Sequence, residues 1–251
     1  MYKEGLILYD FPGHKGPRRK EKIEVVDEES RKKKEDSRRR SMLRSKAELT
    51  RIINANAGEW MDGNHRMYPP VFVTLTFKED IRDIREANRR FSVFIRWLNY
   101  DLFLRKGNFL KYVVVTEFQD KNRDGVVHYH VIFFNMPFID SDELAEIWGH
   151  GFVKINKIDR VKNIGGYVTK YMSKNFDDDR LDGHKRYFSS RGLTQPRKIN
   201  DQNLATAIMA KLPADKLVEC SEFTSKYNGK VEYRRYKLDR QRTMEEFLAQ
   251  R

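Results

Sequence analysis

Two histidines that alternate with bulky residues are the first feature of this chain suited to chemistry. His128 and His130 lie in residues 127–134, where they run into an apolar stretch. This alternation is typical of a β-strand, whose successive side chains point to opposite faces, so both imidazoles should leave the same face. Two imidazoles on one face can hold a divalent metal ion.

Two tyrosines spaced four residues apart are the second such feature. Tyr167 and Tyr171 lie in residues 166–174, and each is followed three residues later by a lysine, Lys170 or Lys174. The segment is compatible with a helix, in which this spacing puts both hydroxyls on one face about a turn apart. A tyrosine can be a covalent nucleophile, and a neighbouring ammonium group stabilises both a phenolate and a pentavalent phosphorus transition state. Together, the two motifs favour metal-assisted attack on a phosphodiester.

A carboxylate on the preceding predicted strand would complete a metal site. Glu117 lies in residues 112–119, and a hairpin would bring it across from the histidines. Gln119 shares the predicted face of Glu117 and is the alternative third ligand. A carboxylate and two imidazoles with open coordination positions suit Mg²⁺ or Mn²⁺, which must still accept phosphate oxygens. Imidazole is a poor ligand for Mg²⁺, so Mn²⁺ should bind more tightly.

The charge of the chain indicates a polyanionic partner. Its 251 residues include 50 Lys and Arg against 37 Asp and Glu, which gives a net charge of +13. Nucleic acid is favoured because aromatic residues, at 12%, accompany the charge. An anionic membrane surface is the alternative polyanionic partner, but the sequence contains no long basic amphipathic helix and no apolar run of membrane-spanning length.

The cysteine content and the N-terminus exclude other classes of protein. The single cysteine, Cys220, excludes an internal disulfide and a zinc site built from several cysteines. The apolar part of residues 1–10 is too short for a secretory signal. We therefore expect a cytoplasmic protein without a membrane partner.

Hydrophobic patterns predict the elements that must position the candidate side chains. Strands are predicted at 71–77, 112–119, 126–134 and 152–158, and helices at 84–104, 143–148 and 163–175. This order predicts an α+β fold whose central antiparallel sheet is RRM- or ferredoxin-like, with helices packed on one face. Outside this region the patterns predict a strand at 5–11, a helix from Ser41 to about residue 58, a helix at 202–211, and a hairpin of 217–223 with 231–238 around Asn228-Gly229.

These predicted elements divide the chain into three segments: a basic arm and helix at 1–60, a core at 61–199, and a C-terminal helix and hairpin at 200–251. From Lys15 to Lys46 the chain has fourteen Lys and Arg against seven Asp and Glu. Such a stretch is either a solvated helix or flexible arm, or an arm that contacts DNA directly.

The motifs, in their order and spacing, resemble those of the HUH endonucleases, and within them the rolling-circle replication initiators. Residues 72–77 look like the first motif of that family, a strand that supports the sheet. Glu117 with residues 128–130 looks like its metal-binding motif. Residues 167–174 look like its nucleophile motif, in the two-tyrosine form of microvirus gene A proteins. The resemblance covers about residues 69–195.

The resemblance implies an initiator that nicks and rejoins origin DNA through a 5′-phosphotyrosine intermediate. Its implied partners are single-stranded and origin hairpin DNA, a host helicase and a polymerase, in the cytoplasm of a bacterial host. Because the chain lacks a GxxxxGK[ST] loop, unwinding would come from the host helicase or from supercoiling.

Other functions compete with this interpretation. A transposase or relaxase of the same superfamily would share the nicking chemistry, although relaxases usually place the tyrosine motif before the histidines. A non-catalytic protein with an RRM-like sheet would bind nucleic acid by stacking bases on its aromatic residues. Such a protein needs neither the histidine pair nor the repeated Tyr-x-x-Lys unit.

Overall fold

The structure is a computed structural model that describes residues 5–10, 28–104, 106–158, 164–172, 176, 178–181, 184–225 and 229–237. The described residues fall into two compact units. Lys33–Gln195 form the larger unit, and the described parts of residues 1–32 and 196–251 form the smaller one.

The elements alternate between strands and helices along the chain. In order they are β1 (Gly5–Asp10), α1 (Glu28–Asn56), β2 (Val71–Thr76), α2 (Ile84–Phe103), β3 (Tyr112–Gln119), α3 (Asp120–Arg123), β4 (Val126–Phe133), α4 (Ser141–Trp148), β5 (Val153–Lys157), α5 (Ile164–Met172), β6 (Tyr187–Ser189), α6 (Gln202–Lys211), β7 (Leu217–Ser225) and β8 (Gly229–Lys237).

The larger unit is built on a five-stranded sheet in the order β5-β2-β4-β3-β6. Every adjacent pair of strands in it is antiparallel. The segment from β2 to β5 has the element order β-α-β-β-α-β, counting α2 and α4 as its helices, which is that of a ferredoxin-like fold. The predicted α+β class with a central antiparallel sheet is therefore confirmed.

α2 and α4 cover one face of this sheet. α2 begins where Asp83 caps it, its carboxylate accepting a hydrogen bond from the backbone N–H of Arg85. Phe91 and Phe94 lie on its buried stripe. The Phe91 ring packs 5.3 Å from that of Tyr129 on β4. Burial of these large rings is the main driving force for joining helix and sheet.

α1 lies against the opposite face, which the sequence-based expectation of helices on one face did not include. Val115 is fully buried on that face, and Tyr187 pairs with it from β6. Burial and the carboxylate of Glu48 on α1, which hydrogen-bonds the hydroxyl, together raise the pKa of Tyr187 to about 12. The apolar residues on this face must be shielded from water. The buried residues Leu49, Ile52 and Ile53 of α1 supply apolar surface that shields them.

The smaller unit contains a three-stranded antiparallel sheet in the order β1-β8-β7. The predicted hairpin of β7 and β8 is present, and its turn residues 226–228 lie outside the described residues. The strand predicted at the N-terminus is β1, which pairs with β8 from Gly5 opposite Lys237 to Asp10 opposite Glu232.

Two other local predictions differ from the structure. The first helix begins at Glu28, well before Ser41, because its charged half continues the same helix. The connection of the predicted hairpin between β3 and β4 is not a simple turn, since it holds the short helix α3 and is completed by Asp124 and Gly125, both with positive φ.

Candidate metal centre and nucleophile helix

The central strand β4 carries both candidate histidines between two neighbouring strands. On the β2 side, Thr76 is directly opposite His128 and Thr74 is directly opposite His130. On the β3 side, Glu117 is directly opposite His128. Since residues directly opposite each other share a face, all five side chains leave the same face of the sheet.

The three predicted metal ligands lie close together. Glu117, His128 and His130 each offer one potential ligand atom, and these atoms all lie within 4.8 Å of one another. The Glu117 side chain reaches diagonally across the strands, so that its Oε2 lies 2.5 Å from Nε2 of His130. The two imidazole centroids are 4.7 Å apart. The hairpin of β3 and β4 therefore brings this cluster together in the way that the sequence predicts.

The other ring nitrogen of each histidine contacts a threonine hydroxyl. Oγ1 of Thr74 lies 3.2 Å from Nδ1 of His130, and Oγ1 of Thr76 lies 3.2 Å from Nδ1 of His128. From the sequence alone, these threonines are expected in a supporting strand and have no part in the site. Alternation along Val71–Thr76 was the signal that could have placed both hydroxyls on one face.

Burial favours the form of His128 that can bind a metal ion. Desolvation, with a smaller contribution from the neighbouring His130, lowers the pKa of His128 to about 4, although the Glu117 carboxylate opposes the shift. At neutral pH the imidazole is therefore uncharged and has a lone pair available. A neutral imidazole is the form in which histidine binds metals.

Gln119, the alternative ligand, lies on the same face as Glu117. Its side-chain oxygen is buried and has no hydrogen-bond partner within the described residues. In strand register it is diagonal to His128, because Gln119 is directly opposite Val126. A buried amide oxygen without a partner carries a cost that a cation would remove. One carboxylate, two imidazoles and this oxygen are a donor set that fits Mn²⁺ or Mg²⁺.

The predicted nucleophile motif lies in the helix α5, and part of it can be described. Val168 is buried, whereas Tyr167 is 42% exposed and Lys170 is also exposed. Tyr167 and Lys170 thus share the outward face of the helix, one turn apart. The backbone of Tyr171 is helical but its side chain lies outside the described residues, and so does the whole of Lys174.

α5 is held against α1 at a point where only glycine fits. The backbone N–H of Gly165 donates to Oδ1 of Asn54 at 2.9 Å. One turn further on, the Thr50 hydroxyl donates to the Thr169 hydroxyl at 3.1 Å. A Cβ at residue 165 would lie 2.5 Å from the carbonyl oxygen of Thr50. The absence of a side chain at Gly165 therefore permits this close approach to α1.

We expect Gly165→Ala to push α5 away from α1 and to lower the nicking activity that the resemblance implies, without changing the affinity of the candidate metal centre. Overpacking of this kind costs about 1–3 kcal/mol, which thermal unfolding would detect. The matched control is Gly63→Ala, where an added Cβ meets no atom within 4 Å. Equal activity and equal melting temperature for the two variants would contradict this role of Gly165.

Comparison with known proteins supports a replication function. Residues 70–176 match a family model described as that of the replication-associated protein ORF2. The match supports a replication-associated protein of the rolling-circle initiator type, and it spans the histidine strand and α5. Searches of curated proteins and of solved structures found no match. Among the described helices, none is both long enough and apolar enough to cross a membrane.

Proposed function

We propose that this chain is an HUH-type rolling-circle initiator, which nicks and rejoins single-stranded origin DNA through a 5′-phosphotyrosine intermediate. The observation that carries the proposal is the convergence of Glu117, His128 and His130 within 4.8 Å on one sheet face. The matched segment, residues 70–176, contains this cluster and the tyrosine helix in the same chain order as the resemblance implies.

Tyr167 is the proposed nucleophile for the first nick. Its phenolic oxygen attacks phosphorus and forms a bond to the 5′-phosphate, while the bond from phosphorus to the 3′ oxygen breaks and that oxygen leaves as a free hydroxyl. Lys170, one helical turn away on the same outward face, stabilises the phenolate. The covalent link retains the energy of the phosphodiester, so rejoining is the reverse step and needs no ATP.

Glu117, His128 and His130 would hold Mn²⁺ or Mg²⁺, with Gln119 as a further oxygen donor. A cation bound there would act as a Lewis acid on the scissile phosphate. Tyr171 and Lys174 are the proposed second nucleophile and its cation, which would cleave the regenerated origin while Tyr167 holds a 5′ end.

Lys154 is a further candidate for contact with DNA phosphates on the histidine face. It lies on the edge strand β5, directly opposite Thr74, and its side chain is exposed. Its ammonium group has no ion-pair partner within the described part of the chain. A cation at the edge of the candidate metal centre would position the DNA backbone without reading its sequence.

The basic half of α1 would add affinity for DNA that does not depend on sequence. From Glu28 to Lys46 the helix has nine Lys and Arg against four Asp and Glu, and most of these side chains are exposed. Two of these cations form ion pairs within the protein, since Lys32 pairs with Glu28 at 3.1 Å and Arg38 pairs with Asp179. The remaining cations would bind phosphates and release counterions.

A host helicase or supercoiling would expose the single strand, and a host polymerase would extend the free 3′-hydroxyl in the bacterial cytoplasm. The direct test of function is incubation of the protein with single-stranded DNA and Mn²⁺, with or without excess EDTA. We expect cleavage only without EDTA. DNA binding without cleavage would instead indicate a non-catalytic nucleic-acid-binding protein.

A further inference from the structure

Two threonine hydroxyls are placed to orient the candidate metal ligands. Thr74 contacts Nδ1 of His130 and Thr76 contacts Nδ1 of His128, each at 3.2 Å. Both contacts join directly opposed residues of β2 and β4, so the strand register sets them. We propose that Thr74 and Thr76 are positioning residues that direct the Nε2 atoms of both imidazoles to one divalent cation. The inference rests on the proposed function.

An imidazole on a strand needs such a partner because its ring can flip. The torsion that turns the ring is broad and roughly two-fold, so a flip exchanges Nδ1 with Cδ2 and Nε2 with Cε1 at little cost. A hydrogen bond to Nδ1 removes that ambiguity and leaves Nε2 as the ring nitrogen that faces the ligand. Partners of this kind commonly change metal affinity by about 10–100-fold when they are removed.

Stacking on Phe72, a further neighbour of His130 on this face, cannot make that choice. The Phe72 ring stacks on the imidazole, with centroids 5.5 Å apart and planes 15° from parallel. Stacking restricts the plane of the ring, but both ring orientations share that plane. The hydroxyl of Thr74, which contacts Nδ1, does distinguish the two ring orientations.

A hydroxyl also suits both tautomers of the neutral imidazole. Nε2 of His130 lies 2.5 Å from a carboxylate oxygen of Glu117, and a ring that donates its proton in this contact has an acceptor at Nδ1. With a cation, Nε2 must offer its lone pair, and the proton of the neutral ring must then be on Nδ1. A threonine hydroxyl can donate to Nδ1 in the first tautomer and accept from it in the second. A backbone carbonyl could serve only the second.

The test removes both hydroxyls while it keeps side-chain shape and strand preference. We expect Thr74→Val with Thr76→Val to raise the dissociation constant for Mn²⁺ by about 10–100-fold, measured on the full chain by electron paramagnetic resonance of free Mn²⁺. Thr74→Ser with Thr76→Ser retains the hydroxyls and should restore affinity close to that of the wild type.

The matched control is Thr116→Val. Thr116 is a buried threonine on β3 that is directly opposite Tyr129, so it points to the α2 face. Its replacement removes a buried strand hydroxyl outside the cluster and should leave Mn²⁺ affinity unchanged. Thermal unfolding in EDTA checks that each variant is folded, and the single valine variants replace the double variant if it is not.

A metal-free readout separates this inference from the proposed function. The ¹⁵N chemical shifts of Nδ1 in His128 and His130 should change in the valine variants and stay unchanged in Thr116→Val. Wild-type affinity and unchanged shifts in the valine variants would overturn the positioning role and leave the proposed function standing. If the wild-type protein does not bind Mn²⁺, both the proposed metal site and the positioning role are overturned.

Discussion

Replacing His128 and His130 with alanine should reduce nicking of single-stranded DNA to the rate seen without protein. Two of the three side chains that meet within 4.8 Å are then lost, and the cation has no imidazole ligand. DNA affinity in EDTA should change little, because phosphate contacts from Lys and Arg dominate binding. Nicking is measured with end-labelled DNA and Mn²⁺, and affinity by fluorescence anisotropy.

His184→Ala is the matched control for this pair of substitutions. His184 is an exposed histidine outside the cluster, and its backbone N–H makes the local hydrogen bond to the carbonyl oxygen of Leu181. Its removal changes the histidine content without touching the ligands, so nicking should persist. Full nicking by the His128 and His130 double variant, or full wild-type activity in excess EDTA, would contradict the metal assignment.

The second large effect is expected at the tyrosines. Tyr167→Phe should lower the rate of the first nick by at least about a thousandfold, since loss of a covalent nucleophile acts on that scale. Tyr171→Phe should still form the first covalent adduct but should fail in the second cleavage of a regenerated origin. The double variant should form no adduct. Adducts are measured by denaturing gel with labelled single-stranded DNA.

Tyr100→Phe is the control for the loss of a phenol hydroxyl. Tyr100 is also an exposed helical tyrosine, but it lies on α2, which covers the opposite face of the sheet from the histidines. An adduct on Tyr167 in the Tyr171→Phe variant, and a much slower adduct on Tyr171 in the Tyr167→Phe variant, would support a two-nucleophile cycle. An adduct at one position only, with normal turnover by the other variant, would reduce the protein to a single-tyrosine enzyme.

The cluster of Glu117, His128 and His130 could be predicted from sequence because its determinants are local. Alternation along β4 puts His128 and His130 on one face, and a short connection between β3 and β4 makes them a hairpin. Once that pairing is assumed, Glu117 must fall beside the histidines. The sheet core could be predicted for the same reason, since each strand is a clear apolar run.

The partners of the histidines on β2 could not be predicted so readily. Thr74 and Thr76 meet His130 and His128 only because β2 pairs with β4 in one particular register. The six-residue sequence of β2 does not specify its register with β4, which lies more than fifty positions away along the chain. A shift of the register by one residue would turn both hydroxyls to the other face of the sheet.

Long-range packing explains the remaining differences. β6 has three residues and no apolar alternation of its own, so only its pairing with β3 makes it a strand. The pairing of β1 with β8 joins opposite ends of the chain, which local patterns do not encode. In α1, a dense run of charges precedes the few apolar residues that pack on the sheet. The helix therefore resembles a solvated arm when the sequence alone is considered.

Peptide mapping of a covalent DNA adduct is the most direct test of the proposed metal-assisted attack by a tyrosine. The full chain is incubated with a pool of randomised single-stranded oligonucleotides and Mn²⁺, and complexes that survive denaturation are digested and analysed by mass spectrometry. We predict a nucleotide 5′-phosphate on Tyr167 or Tyr171, formed with Mn²⁺ and absent in excess EDTA. Cleaved DNA without any tyrosine adduct would contradict the proposed nucleophile. An adduct that forms equally in EDTA would contradict the proposed metal assistance.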